Sequence, residues 1–349
     1  MRLGRKGTAL KKIEEWRTVD RATFENEIFP TNRPAVLRGL LGDWPAVQAS
    51  RQSLASAVDY FKSLDTGRPV GAIVGPPEIK GRFFYSDDFQ GFNFGPRTVS
   101  ISTALDTFVT LAERPLPPAI ALQAMHVPDI MPSFLRDNAM PLLDRDIVPR
   151  VWMSNQSMVA THFDNNYNIA CVVSGRRRFT VFPPEQLTNL YLGPLLKTPG
   201  GTPISVVDLR EPDFEKFPRF REALDSAQES VLEPGDAIYI PILWWHGVES
   251  LDPLNILANY WWNHTVPAYH KPILALIHCV ALMSGLPADQ REVWRSFFNY
   301  FAFQSAGDPA AHLPSDLQDV VGELSSADRD QVLTFVAERL RVLLESGAG

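Results

Sequence analysis

Cysteine is nearly absent: Cys171 and Cys279 are the two in 349 residues. Each lies in an apolar run, so both read as small buried hydrophobes and no disulfide framework is expected. No stretch approaches the roughly 20 apolar residues of a membrane-spanning helix. The basic start "MRLGRKGTALKKIEEW" lacks the apolar run of a secretory signal, which makes a reducing cytoplasm the expected compartment. Basic residues are outnumbered 33 to 40, giving a net charge of −7, so electrostatics argue against a nucleic-acid partner. Internal repeats and low-complexity linkers are also missing.

What is present is an ordinary globular composition, 45% hydrophobic and 21% charged, enough for a normal core. The 29 prolines cut the chain into short segments. Before residue 150 the pattern is mixed. A short strand is expected at Ala35 to Arg38, helices near Ser53 to Lys62 and Ile101 to Ala112, and a strand at Pro118 to Met125. From Val151 to Asn263 the segments "VWMSNQSMVATHF", "NIACVVSG", "RRFTVFP", "ESVLEPG", "DAIYIP", "WWHGVES" and "NILANYWWN" are short and rich in β-branched and aromatic residues. They predict an antiparallel sandwich or barrel. "EPGD" (Glu233 to Asp236) reads as a tight turn and Ser174-Gly175 as a hairpin turn. The long break after Pro183 carries a short helix at Pro184 to Leu190.

After Pro267 the pattern is helical, with Ser326 as the expected N-cap and Gly347 as the stop of the last helix. The expected division is a catalytic domain over 1–266, with flanking N-terminal elements, and a helical region over 267–349. Trp294, Phe297, Phe298, Tyr300, Phe301 and Phe303 make that region too apolar to stand alone. It either pairs two chains or folds back over its own barrel; a homodimer is the expectation.

The chemistry gathers in "THFDNNYNIACVVSGRRRF". His162 and Asp164 are two apart, and on a strand such side chains point the same way. Alone, the pair reads better as a solvated turn than as a metal site. His246 in "ILWWHGVES" supplies a third ligand type, and two imidazoles with one carboxylate leave open positions on a metal. None of His126, His264, His270, His278 and His312 has an acidic residue two positions later; His264 and His270 read as surface or helix-entry residues. If Phe179 and Val181 face the core, alternation turns Arg177 inward and Arg176 and Arg178 outward. A buried guanidinium needs an anion. Asn168, Asn259 and Trp261 can face the same cavity. The bland alternative is three solvated arginines at a strand end.

"RPAVLRG…WPA", "HFDNNYNIACVVSGRRRFTVFPPEQ", "PDFEKFPRF", "EPGDAIYIPILWWHGVESL" and "NYWW" together resemble the cupin-like branch of the JmjC family of 2-oxoglutarate- and Fe(II)-dependent oxygenases, and among its members most the asparaginyl hydroxylase of the hypoxia-inducible factor. The resemblance covers most of the chain. It implies a mainly β, double-stranded β-helix (jelly-roll) core with N-terminal α/β elements and a C-terminal helical module. It implies a hydroxylase with His162, Asp164 and His246 as iron ligands and Asn168 and Asn259 beside the cosubstrate. Arg177 stands where the relative has a lysine on the distal carboxylate of 2-oxoglutarate; O2 is the other cosubstrate. The substrate is not readable, a protein side chain being one class. Two positions depart: Val159 replaces a threonine and Ala121 a tyrosine, so two hydroxyl donors are missing. Either Arg177 does more, or another hydroxyl such as Ser157 or Tyr85 fills in. Two other readings stay open, a cupin-fold binding protein without catalysis and a metallo-cupin enzyme that uses no 2-oxoglutarate. The aromatic, acidic segment Tyr85 to Pro96 reads as a lid or as an ordinary surface loop.

Overall fold

The computed structural model of the chain describes residues 9–263 and 272–346. Gly347, His264 and His270 lie outside the described residues. The chain divides into two compact units, one ending at Lys271 and one beginning at Pro272.

In the first unit the strands run β1 Lys11–Lys12, β2 Glu14–Arg17, β3 Ala35–Arg38, β4 Val70–Gly75, β5 Gly95–Val99, β6 Ala119–His126, β7 Arg150–Ser154, β8 Met158–Phe163, β9 Tyr167–Ser174, β10 Arg177–Phe182, β11 Gln228–Leu232, β12 Ala237–Ile240, β13 Trp245–Ser250 and β14 Asn255–Trp262. They build a five-stranded sheet in the order β1-β11-β10-β13-β8 and a nine-stranded sheet in the order β2-β3-β12-β9-β14-β7-β6-β4-β5. Four strands of each, β11-β10-β13-β8 and β12-β9-β14-β7, form the jelly-roll core. Between them pack Ala170, Val172, Phe179, Val181, Ile238 and Leu257, contributed by both sheets.

Alternation explains why β9 reads as an unbroken apolar run. Ala170 and Val172 fill the interior between the sheets, while Ile169, Cys171 and Val173 face the other way into a second core. A strand covered on both faces has no polar side to show. That second core takes Val47, Phe61, Phe108 and Phe134 from helices that cover the nine-stranded sheet. The helices Leu54–Leu64 and Ile101–Leu111 start where Ser53 and Ser100 accept from the N–H groups of Ser56 and Thr103.

The Ser174-Gly175 turn is not a hairpin. β9 pairs with β12 and β14, and β10 with β11 and β13, so the turn carries the chain from one sheet to the other. Gly175 has φ +69°, and a Cβ there would lie 2.4 Å from the Leu254 carbonyl oxygen, so this corner needs glycine. The expected single strand from Val151 to Phe163 is likewise broken. β7 and β8 belong to different sheets, and the Asn155 side chain pins the corner by accepting from Ile120 N–H at 3.0 Å and donating to Pro118 O at 2.8 Å. The expected helix after Pro183 is a 3-10 turn, Pro184–Thr188. The helix Phe220–Ser226, not expected from sequence, seats Phe220 and Leu224 against Phe182 and Trp245 on the outer face of the smaller sheet.

The second unit contains the helices Pro272–Met283, Ala288–Phe301 and Ser326–Ser346. The last is capped one residue earlier than expected: the Ser325 hydroxyl accepts from the Asp328 N–H at 3.2 Å. Trp294, Phe297, Phe301 and Phe303 are exposed, and Cys279 is only half-buried. No described helix is long and apolar enough to cross a membrane.

Candidate metal centre

β8 and β13 run antiparallel, with His246 directly opposite His162. The two imidazoles therefore lie side by side, ring centroids 4.3 Å apart. Asp164, one residue past the end of β8, brings its Oδ2 to 3.7 Å from His246 Nε2. One ligand atom from each of His162, Asp164 and His246 falls within 4.8 Å of the others. Just beyond His246 the register shifts, and Gly247 lets Leu209 and Thr161 close in; a Cβ there would meet them at 2.7 and 2.9 Å.

Both histidines have their tautomer fixed. His162 Nδ1 lies 2.9 Å from Ala160 O, and His246 Nδ1 lies 3.1 Å from Trp244 O. A carbonyl only accepts, so each Nδ1 carries the proton and each Nε2 keeps a lone pair for a metal. Burial, and after it the neighbouring His162, push His246 below the ordinary histidine range, so its ring is neutral and ready to ligate.

The carboxylate is also held. Trp261 Nε1 donates to Asp164 Oδ2 at 3.1 Å and Asn168 Nδ2 donates to the same oxygen at 3.3 Å. Asn259 Nδ2 donates in turn to Asn168 Oδ1 at 2.9 Å. A relay from β14 through β9 thus orients the Asp164 carboxylate. Trp261, expected to face the cosubstrate, spends its one donor on Asp164.

These residues open onto a cavity of about 330 Å³ between the sheets. Asn165, Asn166, Pro199, Gly200 and Thr202 contribute to its lining, as do Trp152, Ser154, Ser157, Phe179 and Leu257 from the barrel interior. Arg177 is the one cation among the lining residues. It is 4% exposed, with no ion pair among the described residues, and burial alone pushes its guanidinium down to about 9, still charged at neutral pH. Its neighbours point away from the interior: Arg176 forms a two-point pair with Asp252 and Arg178 pairs with Glu249. The three arginines are thus sorted by strand alternation, with the middle one inside.

Four of the buried polar atoms that lack a partner among the described residues belong to this lining: Arg177 Nε and Nη2, Trp152 Nε1 and Asn259 Oδ1. Such atoms cost free energy unless a ligand answers them. Three of them are donors, which fits an anion.

Of the expected hydroxyl substitutes, Tyr85 donates to Lys197 O at 2.7 Å and does not line the cavity, whereas Ser157 does. No residue of 85–96 lines the cavity; its aromatic side chains stack on one another, Tyr85 on Phe89 and Phe92 on Phe94. Trp152, Ser154 and Ser250 were not singled out from sequence. The signal was there in "VWMS", whose alternate residues share a face, but it needs the β7 register to be seen.

The model of a cupin-like domain matches residues 21–267. The chain is 26% identical to the lysine-specific demethylase JMJ31 of Arabidopsis thaliana over 69% of this chain and 48% of that protein. It is 25% identical to the human bifunctional peptidase and (3S)-lysyl hydroxylase JMJD7, over 66% of this chain and 78% of the relative. To the tRNA wybutosine-synthesizing protein 5 of Danio rerio it is 26% identical, over 81% and 89%. It spans about half the length of the plant demethylase and of the lysine-specific demethylase 8 of Danio rerio. The matched span contains the four core strands of each sheet and His162, Asp164 and His246, and the chain belongs to the cupin-like domain family.

Proposed function

We propose that this chain is an Fe(II)- and 2-oxoglutarate-dependent oxygenase that hydroxylates a protein side chain. The observation that carries the reading is the His162, Asp164 and His246 cluster, with its free Nε2 atoms, in the same cavity as the unpaired Arg177. The donor set suits iron with positions left open. Arg177 suits the distal carboxylate of a keto acid, because a buried cation with no counter-ion is stabilised by one. Bound there, iron with the keto acid and O2 supplies oxidative decarboxylation and the transfer of one oxygen atom into a substrate C–H bond. The chain's own part is to orient. Ala160 O and Trp244 O hold the imidazoles, Trp261 and Asn168 hold the Asp164 carboxylate, and Asn259 holds Asn168. Phe179, Ile240, Val248 and Leu257 keep the interior apolar.

The substrate class rests on the lining. Among the described residues Arg177 is the one Lys or Arg side chain in the lining, so a phosphate backbone finds little positive charge there. A tRNA substrate is the second reading, favoured by the extent of the match to the wybutosine-synthesizing protein. The exposed apolar faces of the second unit support a two-fold homodimer through its helices.

The deciding experiment is succinate formation from 2-oxoglutarate by the full chain with Fe(II) under air. Asp164→Ala is expected to abolish it with the thermal transition unchanged. Full turnover in that variant overturns the reading. Iron binding without 2-oxoglutarate binding turns it toward a metallo-cupin that uses no keto acid, and loss of both toward a binding protein.

A further inference from the structure

The aromatic, acidic segment that starts at Tyr85 does not line the cavity, yet it is tied to a loop that does. Pro199, Gly200 and Thr202 belong to the lining and lie on the long connection between β10 and β11. One end of this stretch is fastened to β8. Ile204 bridges to His162, the Ser205 N–H donates to Thr161 O at 2.7 Å, and the Gly193 N–H donates to Ile204 O at 2.8 Å. The stretch therefore starts beside one of the metal-type ligands. Its other end is held at Lys197. The Tyr85 hydroxyl donates to Lys197 O at 2.7 Å, and Lys197 Nζ donates to the carbonyl oxygens of Phe89, at 3.2 Å, and Gln90. Between the two tethers run residues 198–203, "TPGGTP". A Cβ at Gly200 or Gly201 would meet nothing within 4 Å, so this stretch has open space beside it.

The tether is a built structure. Tyr85 is buried, stacked on Phe89 with ring centroids 5.2 Å apart, and packs in one cluster with Phe84, Ile204 and Ala160 of β8. Ser86 Oγ donates to Asp88 Oδ1 at 2.6 Å and accepts from the Gly91 N–H at 2.8 Å, which closes the turn on itself. Phe89 holds φ +58°, a left-handed conformation that a bulky residue keeps only where its surroundings over-determine it. Its carbonyl and the next one are the two that receive the Lys197 ammonium.

We propose that Tyr85 is a positioning residue: residues 85–92 are a post that latches Lys197, and the latch holds residues 198–203 in place as a wall of the passage to the metal centre. With the Lys197 carbonyl released, the stretch is held at its β8 end and by the ammonium alone, and the passage widens. A wall that does not touch the ligand changes the rates of entry and exit alike and leaves affinity as it is. The part played in ligand exchange rests on the oxygenase reading; the latch itself does not.

The test uses the full chain and Tyr85→Phe, which keeps the ring stack and removes the hydroxyl. Trypsin needs both the side chain and the carbonyl of the lysine it cuts after, so the two tethers shield the bond after Lys197. Cleavage there, followed by mass spectrometry, is expected to rise about five-fold, the weight of one neutral hydrogen bond in the opening equilibrium. Cleavage elsewhere and the thermal transition stay unchanged. Exchange of 2-oxoglutarate on the Mn(II)-loaded chain is read by stopped-flow emission of Trp152 and Trp261, which line the cavity. Association and dissociation are expected to quicken together by about the same factor, with Kd unaltered, and Lys197→Met is expected to quicken them likewise. Unchanged cleavage after Lys197 overturns the latch. Faster cleavage throughout the chain makes Tyr85 structural and overturns it too. Faster cleavage after Lys197 with unaltered exchange in both variants overturns the passage wall. If the unaltered chain binds no 2-oxoglutarate, the oxygenase reading falls and takes the exchange role with it, while the tryptic result still decides the latch.

Discussion

The indole N–H of Trp261 donates to Asp164 Oδ2 at 3.1 Å, across the gap between β14 and the end of β8. A tryptophan and an aspartate 97 residues apart in sequence thus act as one unit. Asp164 lies just outside β8, so it lacks the strand's own restraint and depends on side chains for its aim. Trp261→Phe keeps the ring packing and removes the donor. Metal affinity is expected to fall about ten-fold, at the lower end for lost partners of metal ligands, with little change in the thermal transition. Mn(II) titration followed by electron paramagnetic resonance reads it; unchanged affinity assigns the aim of Asp164 to Asn168 alone.

Arg177→Ala is expected to weaken 2-oxoglutarate binding by roughly 2–4 kcal/mol, since a desolvated anion loses its charged partner. Arg176→Ala and Arg178→Ala leave it nearly unaltered, their guanidinium groups being engaged with Asp252 and Glu249. Titration of the three variants against the unaltered chain decides. Sensitivity at Arg176 or Arg178 instead would place the ligand outside the barrel.

A buried cation without a counter-ion is a cost to the ligand-free fold. Arg177→Met fills similar space with apolar atoms and is expected to stabilise the ligand-free chain by at least about 1 kcal/mol. It abolishes the further stabilisation that 2-oxoglutarate gives the unaltered chain. Chemical denaturation with and without the keto acid measures both. Destabilisation of the ligand-free chain would mean that Arg177 supports the fold.

The exposed aromatic residues of the helix Ala288–Phe301 provide the test of assembly. Sedimentation equilibrium at micromolar concentration is expected to give twice the chain mass, and Trp294→Asp with Phe297→Asp the single mass. A single mass for the unaltered chain removes the dimer.

The site was legible where chemistry and alternation coincide. His162, Asp164 and His246 were readable because few residue types bind metal, and Arg177 because Phe179 and Val181 fix the face it shares. The strands β6 and β9 to β14 were readable from composition. The hairpin at Ser174-Gly175 was misread because a turn that joins paired strands and one that crosses between sheets use the same residues. β1, β2, β4 and β5 went unseen for a related reason. β1, β2 and β5 are short or largely exposed edge segments, such as "EEWR" and "GPRTV", whose strand character comes from the neighbour they pair with; β4, "VGAIVG", lies between β5 and β6 and carries glycine at two of its six positions, which weakens its local strand signal. Trp152 and Ser154 were hidden because their meaning depends on how β7 faces the opposite sheet across the interior, which no local pattern carries.

The carbonyls that fix the two imidazoles, Ala160 O and Trp244 O, each belong to the residue two positions before the histidine they hold. The hold is main-chain, so substitutions at Ala160 or Trp244 that keep the backbone path leave it in place. What the histidines depend on is the path itself. The metal-ready tautomer is therefore a reporter of local order at the ends of β8 and β13. An opening there that breaks little else frees both rings to turn, and exchange of the imidazole Nδ1 protons with solvent would register that opening before any change in the rest of the barrel.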